Sequence, residues 1–289
     1  MWLLYTSISA ISAGFLSICV RKSKNSDGIA TVLIGVMGYN LAFILIGLFR
    51  GLLSTFSWEY VKLFFPIFVL HITSDILVAL TPKFARITVT APFGRLRAIL
   101  PFIYSYIFFQ ERLSGQQIFF SSALIILSVL STIVDKKSSG GKLERGDYIG
   151  IIMTLIMCFC NATYSFMVKV YVVQFNDPFI VHFYICSMSS IALVLFAAFT
   201  GQLEKFNFNK FIDGKPWFLG YILLNITSGV ANKLSYVGGP ISIITVLQGS
   251  SIIIQTLGAR ILLKEEVSNK KYLIIFLVFV CSVALSFFS

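Results

Sequence analysis

The sequence predicts an all-α polytopic membrane protein, with ten transmembrane helices arranged as two inverted five-helix repeats. Three observations carry this. Of the 289 residues, 57% are hydrophobic and only 12% are charged, with a mean hydropathy of +0.88. A water-soluble domain carries about twice that share of charge, because its surface must be solvated. The apolar residues also fill runs of roughly twenty residues instead of following a 3.6-residue stripe, and such runs are long enough to cross a bilayer as helices. Finally, one pattern occurs twice at a constant offset. His71-Ile72-Thr73-Ser74 returns as Asn225-Ile226-Thr227-Ser228, Phe109-Gln110-Glu111-Arg112-Leu113-Ser114 as Leu263-Lys264-Glu265-Glu266-Val267-Ser268, and Ser128-Val129 as Ser282-Val283.

The first span, Trp2–Val20, carries Ser7, Ser9, Ser12, Gly14 and Ser17. It is too long for the apolar core of a signal peptide, so these small residues are expected to serve helix packing and not cleavage. The second, Ile29–Phe49, follows an N-cap signal at Ser26-Asp27-Gly28. The third and fourth, Val61–Leu80 and Ile87–Phe109, carry charged residues within their apolar runs, and the fifth is Gln117–Val134. These make a first repeat over residues 1–134. Residues 135–147 form the most polar connection, with Lys136, Lys137, Gly140, Gly141, Lys142, Glu144 and Arg145, and serve as the linker. The second repeat, 148–289, holds Tyr148–Val170, Phe179–Thr200, Trp217–Tyr236, Ile241–Leu263 and Tyr272–Phe288. Asn176-Asp177-Pro178 supplies an N-cap matching that of the second span, and Gly238-Gly239-Pro240 breaks the chain before the ninth. Five spans per half is an odd number, so the second copy must enter the membrane from the opposite side.

A net charge of +11 would suggest nucleic acid in a soluble chain. Here Lys and Arg flank apolar runs and no basic face with interleaved aromatics exists, so nucleic-acid binding is excluded and membrane lipid headgroups are the expected partners. Cys19, Cys158, Cys160, Cys186 and Cys281 all sit inside apolar runs without metal-ligand spacing, and are read as small packing residues. The chain has no Walker loop, metal cluster or nucleophile–base pair, so an enzyme, an ATP-driven pump and a cofactor are not expected. A homodimer is compatible with the architecture.

The third span ends near Lys83 and Arg86, and the fourth opens with Thr90-Ala91-Pro92 and closes on Phe108-Phe109-Gln110-Glu111-Arg112-Leu113-Ser114. This proline-then-glutamate arrangement, echoed by Glu265 closing the ninth span, resembles the fourth helix of the drug/metabolite transporter superfamily, in its EamA-like branch. The resemblance covers essentially the whole chain. It implies ten helices in two inverted repeats around a central cavity, with both termini cytosolic. The sequence departs from that branch at Ala13-Gly14-Phe15, where a Trp-Gly pair is usual. The charge count also departs: Arg21, Lys22, Lys24, Lys83, Arg86, the linker lysines, Lys205, Lys210, Lys215, Lys264, Lys270 and Lys271 gather in the odd connections. The positive-inside rule would place those in the cytosol and the termini outside. The expectation adopted is the family's.

Arg95 and Arg97 lie well inside the fourth span, where an arginine facing lipid costs several kcal/mol. Two helical positions differ by about 200°, so they cannot share a face. Arg97 lies on a mixed stripe with Thr90, Phe93, Gly94, Pro101 and Tyr104 and is the preferred solute contact; its forked donors suit carboxylate or phosphate. Arg95, the second candidate solute contact or else a helix–helix tie, shares the apolar stripe of Ala91, Ala98, Ile99 and Phe102, and Tyr104 is a further candidate to wall the solute cavity. His71 and Asp75, four apart on the third span, form either a proton relay or, through Asp75, a structural pair with an arginine. Gln248 and Gln255, seven apart, share a face of the ninth span as ligand contacts or interhelical hydrogen bonds. Lys233 is read as near enough to a helix end to snorkel. The expected function is secondary transport of a small polar solute, anionic or zwitterionic, by alternating access at the plasma membrane, coupled to protons or exchange. Alternatives are a lipid-carrier flippase or flippase subunit, and a non-transporting membrane scaffold.

Overall fold

The computed structural model describes residues 1–22, 28–54, 56–84, 93, 97, 99–136, 145–201, 215–264 and 269–288. Among these residues there are helices and turns but no strands. The helices are α1 (Trp2–Lys22), α2 (Gly28–Phe49), α3 (Trp58–Phe84), α4 (Ile99–Phe108), α5 (Gly115–Lys136), α6 (Arg145–Phe175), α7 (Pro178–Phe199), α8 (Lys215–Gly238), α9 (Ile241–Gly249), α10 (Ser251–Leu263) and α11 (Asn269–Phe287). Five segments are long and apolar enough to cross a membrane: Trp58–Val78, Arg145–Phe175, Pro178–Phe199, Ile241–Leu262 and Asn269–Phe287. Shorter apolar helices are Trp2–Leu16, Gly35–Phe49, Ile99–Phe108 and Gly115–Ser131.

Local chemistry sets several boundaries. Asp177 caps α7, its carboxylate accepting from Phe179 N–H at 2.8 Å with Pro178 in the first helical turn. The same carboxylate binds Arg50 at 2.8 Å, tying the end of α2 to the start of α7. The companion signal at Asp27 lies outside the described residues. Gly238-Gly239-Pro240 separates α8 from α9 as the sequence predicts. The ninth span is not one helix: it breaks between Gly249 and Ser251, where Ser250 N–H turns back to Leu247 O at 3.0 Å. In the fourth span Phe93 is helical and Arg97 lies in a 3-10 turn, and α4 runs from Ile99.

Packing joins the two halves of the chain. α1 lies along α8, α9 and α10; α3 along α6 and α7; α2 along α7 and α8; α4 along α6 and α9; and α5 along α11 and α9. The largest apolar cluster brings Phe64 and Ile67 of α3 against Val168 and Val172 of α6 and Val181, Tyr184 and Ile185 of α7. A second links Leu124 of α5 with Ile243 and Val246 of α9 and Val278 and Leu285 of α11. Small residues let α1 approach closely. A methyl group on Gly14 would lie 2.9 Å from the Ser251 carbonyl of α10. The interior also takes polar side chains, with Ser9, Asn40, His71, Ser74, His182 and Lys233 buried. Large apolar groups such as Phe119, Ile191, Leu223, Leu273 and Phe276 face outward. A surface in water would not favour this arrangement, whereas hydrocarbon would.

Candidate solute site

The polar residues converge on a cavity of about 250 Å³. Each wall is a helical stripe spaced by three or four. α1 brings Ser9 and Ala13, α2 Val36 and Tyr39, α3 His71 and Asp75, and α6 Asn161, Tyr164 and Ser165. α8 contributes the longest stripe, Asn225, Ser228, Gly229, Asn232 and Lys233, and α9 adds Thr245 and Gln248. Arg97 enters from just before α4. This 3.6-residue periodicity puts polar groups on inner faces and leaves the outer faces apolar.

His71 Nε2 lies 3.6 Å from Asp75 Oδ2, and neither atom has a hydrogen-bond partner among the described residues. The His71 ring stacks on Tyr164 at 4.7 Å, with 13° between planes. Tyr164 is in turn fixed by His182, its hydroxyl lying 3.1 Å from Nε2, while His182 Nδ1 is 2.8 Å from the Pro178 carbonyl. A carbonyl only accepts, so Nδ1 carries the hydrogen, and in the neutral ring Nε2 accepts from the tyrosine. Gln248 reaches across helices, its amide donating to Asn232 Oδ1 at 2.5 Å and to Ser9 Oγ at 3.5 Å. Ser228 donates to the Ser9 carbonyl at 3.1 Å, and Asn161 to Ser74 Oγ at 3.4 Å.

Lys233 is the residue that the sequence reading undervalued. It is 4% exposed, so it does not snorkel to a helix end. Its ammonium sits 4.8 Å from the Tyr164 ring centroid and 5.2 Å from that of Tyr236. Each ring returns about 0.5–2 kcal/mol, against a cost of several kcal/mol for taking an ammonium out of water. The signal that could have found it was the α8 stripe itself: Lys233 stands eight residues after Asn225, on the same face.

Of the residues singled out from sequence, His71, Asp75, Arg97 and Gln248 meet in this cavity. Tyr104 lines another contact. Its hydroxyl pairs with Thr163 at 3.1 Å and its ring packs 5.1 Å from that of Phe166. The stripe counted from Arg97 assumed one continuous α-helix, but Arg97 lies in a 3-10 turn, where the 3.6-residue spacing does not hold. Gln255 lies beyond the break between α9 and α10, so its seven-residue spacing from Gln248 does not place both at the cavity. Arg95 lies outside the described residues. Asp75 pairs with no arginine among the described residues.

No family model matches the chain, and no curated protein matches it. Its fold nevertheless has precedent. A solved crystal structure, described only as that of a protein, superposes with a TM-score of 0.72 over 99% of this chain and 97% of that one. At 12% identity the likeness is one of fold.

Proposed function

We propose that the chain is a multi-pass secondary transporter that moves a small anionic or zwitterionic metabolite by alternating access. In this reading ten transmembrane helices form two inverted repeats, residues 1–134 and 148–289, joined by the 135–147 linker. The observation that carries it is the cavity, a small polar chamber walled by both halves and charged by Arg97, Lys233 and Asp75. Such charges are costly in a bilayer and are retained where a polar solute or ion must be handled. A non-transporting scaffold has no use for them, and no catalytic role is assigned to the site.

The internal repeat is supported at several levels. Exchanging each helix with its counterpart in the other half turns the α1–α8 contact into α6–α3, and α2–α8 into α7–α3, while α2–α7 and α5–α11 map onto themselves. The hydrogen bonds follow. Ser9 of α1 meets Ser228 of α8, and Asn161 of α6 meets Ser74 of α3, with Ser74 and Ser228 being the paired serines of the duplicated signature. Backbone turns recur as well. Gln110 and Lys264 take φ of 51° and 56°, each directly before the duplicated glutamate. Gly51 and Gly201 take φ of 74° and 63° after α2 and α7. The interrupted α9–α10 helix beside the cavity also fits a transporter site.

The test begins with a thermal-shift screen of purified protein against metabolites, since a ligand of the folded state raises its apparent stability. Uptake of the solute so identified is then measured in proteoliposomes with Arg97→Lys and Arg97→Ala. Arg97→Lys keeps the charge but loses the planar fork, and both variants are expected to slow uptake at least tenfold. Unchanged uptake in both removes Arg97 from the site.

One observation favours the flippase as second reading. A groove of about 960 Å³ between α4 and α5 includes Ile125 in its lining, and Ile125 also borders a small void shared with Arg97 and Thr245 of the cavity. Translocation of a lipid-linked sugar in vesicles, with no flux of any water-soluble metabolite, would select it.

A further inference from the structure

Among the described residues the cavity walls contain more positive than negative charge, with Lys233 and Arg97 facing one carboxylate, Asp75. Lys233 is the more deeply placed of the two cations, and among the described residues it forms no ion pair. What holds its ammonium is aromatic: the faces of Tyr164 and Tyr236. Both rings are themselves fixed. Tyr164 is held by the chain of contacts through His182 to the Pro178 carbonyl, and the Tyr236 hydroxyl accepts from Asn232 at 3.4 Å. A π face stabilises an ammonium without neutralising it or occupying its N–H donors as a carboxylate would. The cation is therefore fixed in position at a cavity wall with its N–H donors outside any ion pair among the described residues.

Resting on the transport reading above, we infer that Lys233 is the seat of the solute's oxyanion group, a carboxylate or a phosphate. Arg97 reaches the same solute from the other half of the chain. Asn161, Asn232 and Gln248 offer the neutral donors and acceptors for the remainder of a molecule that fits a cavity of about 250 Å³. An unpaired buried charge also has a structural consequence. Replacing it with an apolar side chain of similar length relieves the ligand-free protein even as it removes the anion site.

The test uses the protein in lipid nanodiscs as wild type and as two variants, Lys233→Met and Lys233→Arg. Thermal unfolding is followed against sodium acetate and inorganic phosphate, with sodium chloride at matched ionic strength and ethanolamine hydrochloride as controls. The expected wild-type result is a concentration-dependent rise in Tm with acetate or phosphate and none with the controls; which of the two acts tells carboxylate from phosphate. Lys233→Met is expected to lose that rise while its ligand-free Tm stays level or increases. Lys233→Arg is expected to keep part of the rise. An anion-dependent rise that persists in Lys233→Met overturns the assignment. So does a ligand-free Tm that falls in Lys233→Met and is restored in Lys233→Arg without any anion response. Proteoliposome flux separates this from the transport reading. Flux of a neutral or cationic solute, indifferent to acetate and phosphate, overturns the anion seat and leaves transport intact. An anion response lost in Lys233→Met, with no flux of any solute, keeps the seat and overturns transport.

Discussion

Asp75 sits beside His71 with a gap of 3.6 Å and, among the described residues, no arginine within ion-pair distance, and this decides what its removal should do. Breaking a buried ion pair by removing one partner costs about 3–5 kcal/mol. Without such a pair, Asp75→Asn is expected to change stability by about 1 kcal/mol or less. Its effect should fall on coupling. If Asp75 and His71 bind and release the driving proton, Asp75→Asn stops gradient-driven accumulation of solute while exchange across proteoliposomes continues, because exchange needs only the rocking cycle. Accumulation that persists with its normal pH dependence in a stable variant excludes the relay. At this scale the sequence was legible where residue type and depth sufficed. An Asp and a His four apart inside an apolar run had to face inward together, and they do. It was not legible where a position had to be projected through an assumed helix, as for Tyr104. Lys233 was misjudged because its distance from the end of the span was counted without its neighbours, although Tyr164 and Tyr236 enclose it.

Among the elements, the break between α8 and α9 shows how charges at helix ends can fix a joint. Glu111, just beyond α4, accepts from Ile241 N–H at 3.3 Å and from the Ser242 hydroxyl at 2.8 Å, so its carboxylate lies at the N-terminus of α9. Lys169 of α6 donates to the carbonyls of Tyr236 and Gly239 at 2.6 and 2.8 Å, at the C-terminus of α8. Both signs match the helix dipole, and the backbone groups orphaned by Gly239 and Pro240 thereby find partners. First-half α4 and second-half α8 and α9 are pinned together at one point. Glu111→Ala is expected to cost about 1.5–3 kcal/mol by losing charge-assisted hydrogen bonds, whereas Arg112→Ala, at an exposed position next to it, should change stability by about 0.5 kcal/mol or less. Thermal or denaturant unfolding of the two variants in the same detergent checks the contrast; equal effects would mean that Glu111 is only an interfacial charge. The Gly-Gly-Pro stop was readable because each residue has its own reason to end a helix. The Gly249-Ser250-Ser251 break was not, since small residues break a helix only where the surrounding packing demands it, and here they lie against α1 and α5.

The whole molecule poses a question that neither composition nor packing answers alone, namely which way round it sits. Helices followed from the length of the apolar runs, and most of their limits lie within a few residues of those runs, because polar and turn residues end the runs abruptly. Orientation rests on two arguments that disagree. The charge count favours termini outside, and the structure sharpens it: Arg50 is neutralised by Asp177 and Lys169 is buried against carbonyls, so the face opposite the odd connections has less free positive charge than its sequence suggests. The resemblance read from the sequence would instead place the termini in the cytosol. Two exposed positions separate these and test repeat inversion at once. Ser54 follows α2 and Thr200 follows α7, and both are exposed. If both halves contribute five spans, these two turns must lie on opposite sides of the membrane. In a background with the five cysteines replaced, Ser54→Cys and Thr200→Cys are labelled in intact cells with a membrane-impermeant maleimide, before and after permeabilisation. The expected outcome is that Thr200→Cys reacts from outside and Ser54→Cys only after permeabilisation, placing the termini in the cytosol. The reverse pattern keeps the inverted repeats and shows that the positive charges set the topology. Both positions reacting from the same side would mean that an even number of crossings separates them, and the ten-span architecture would fall.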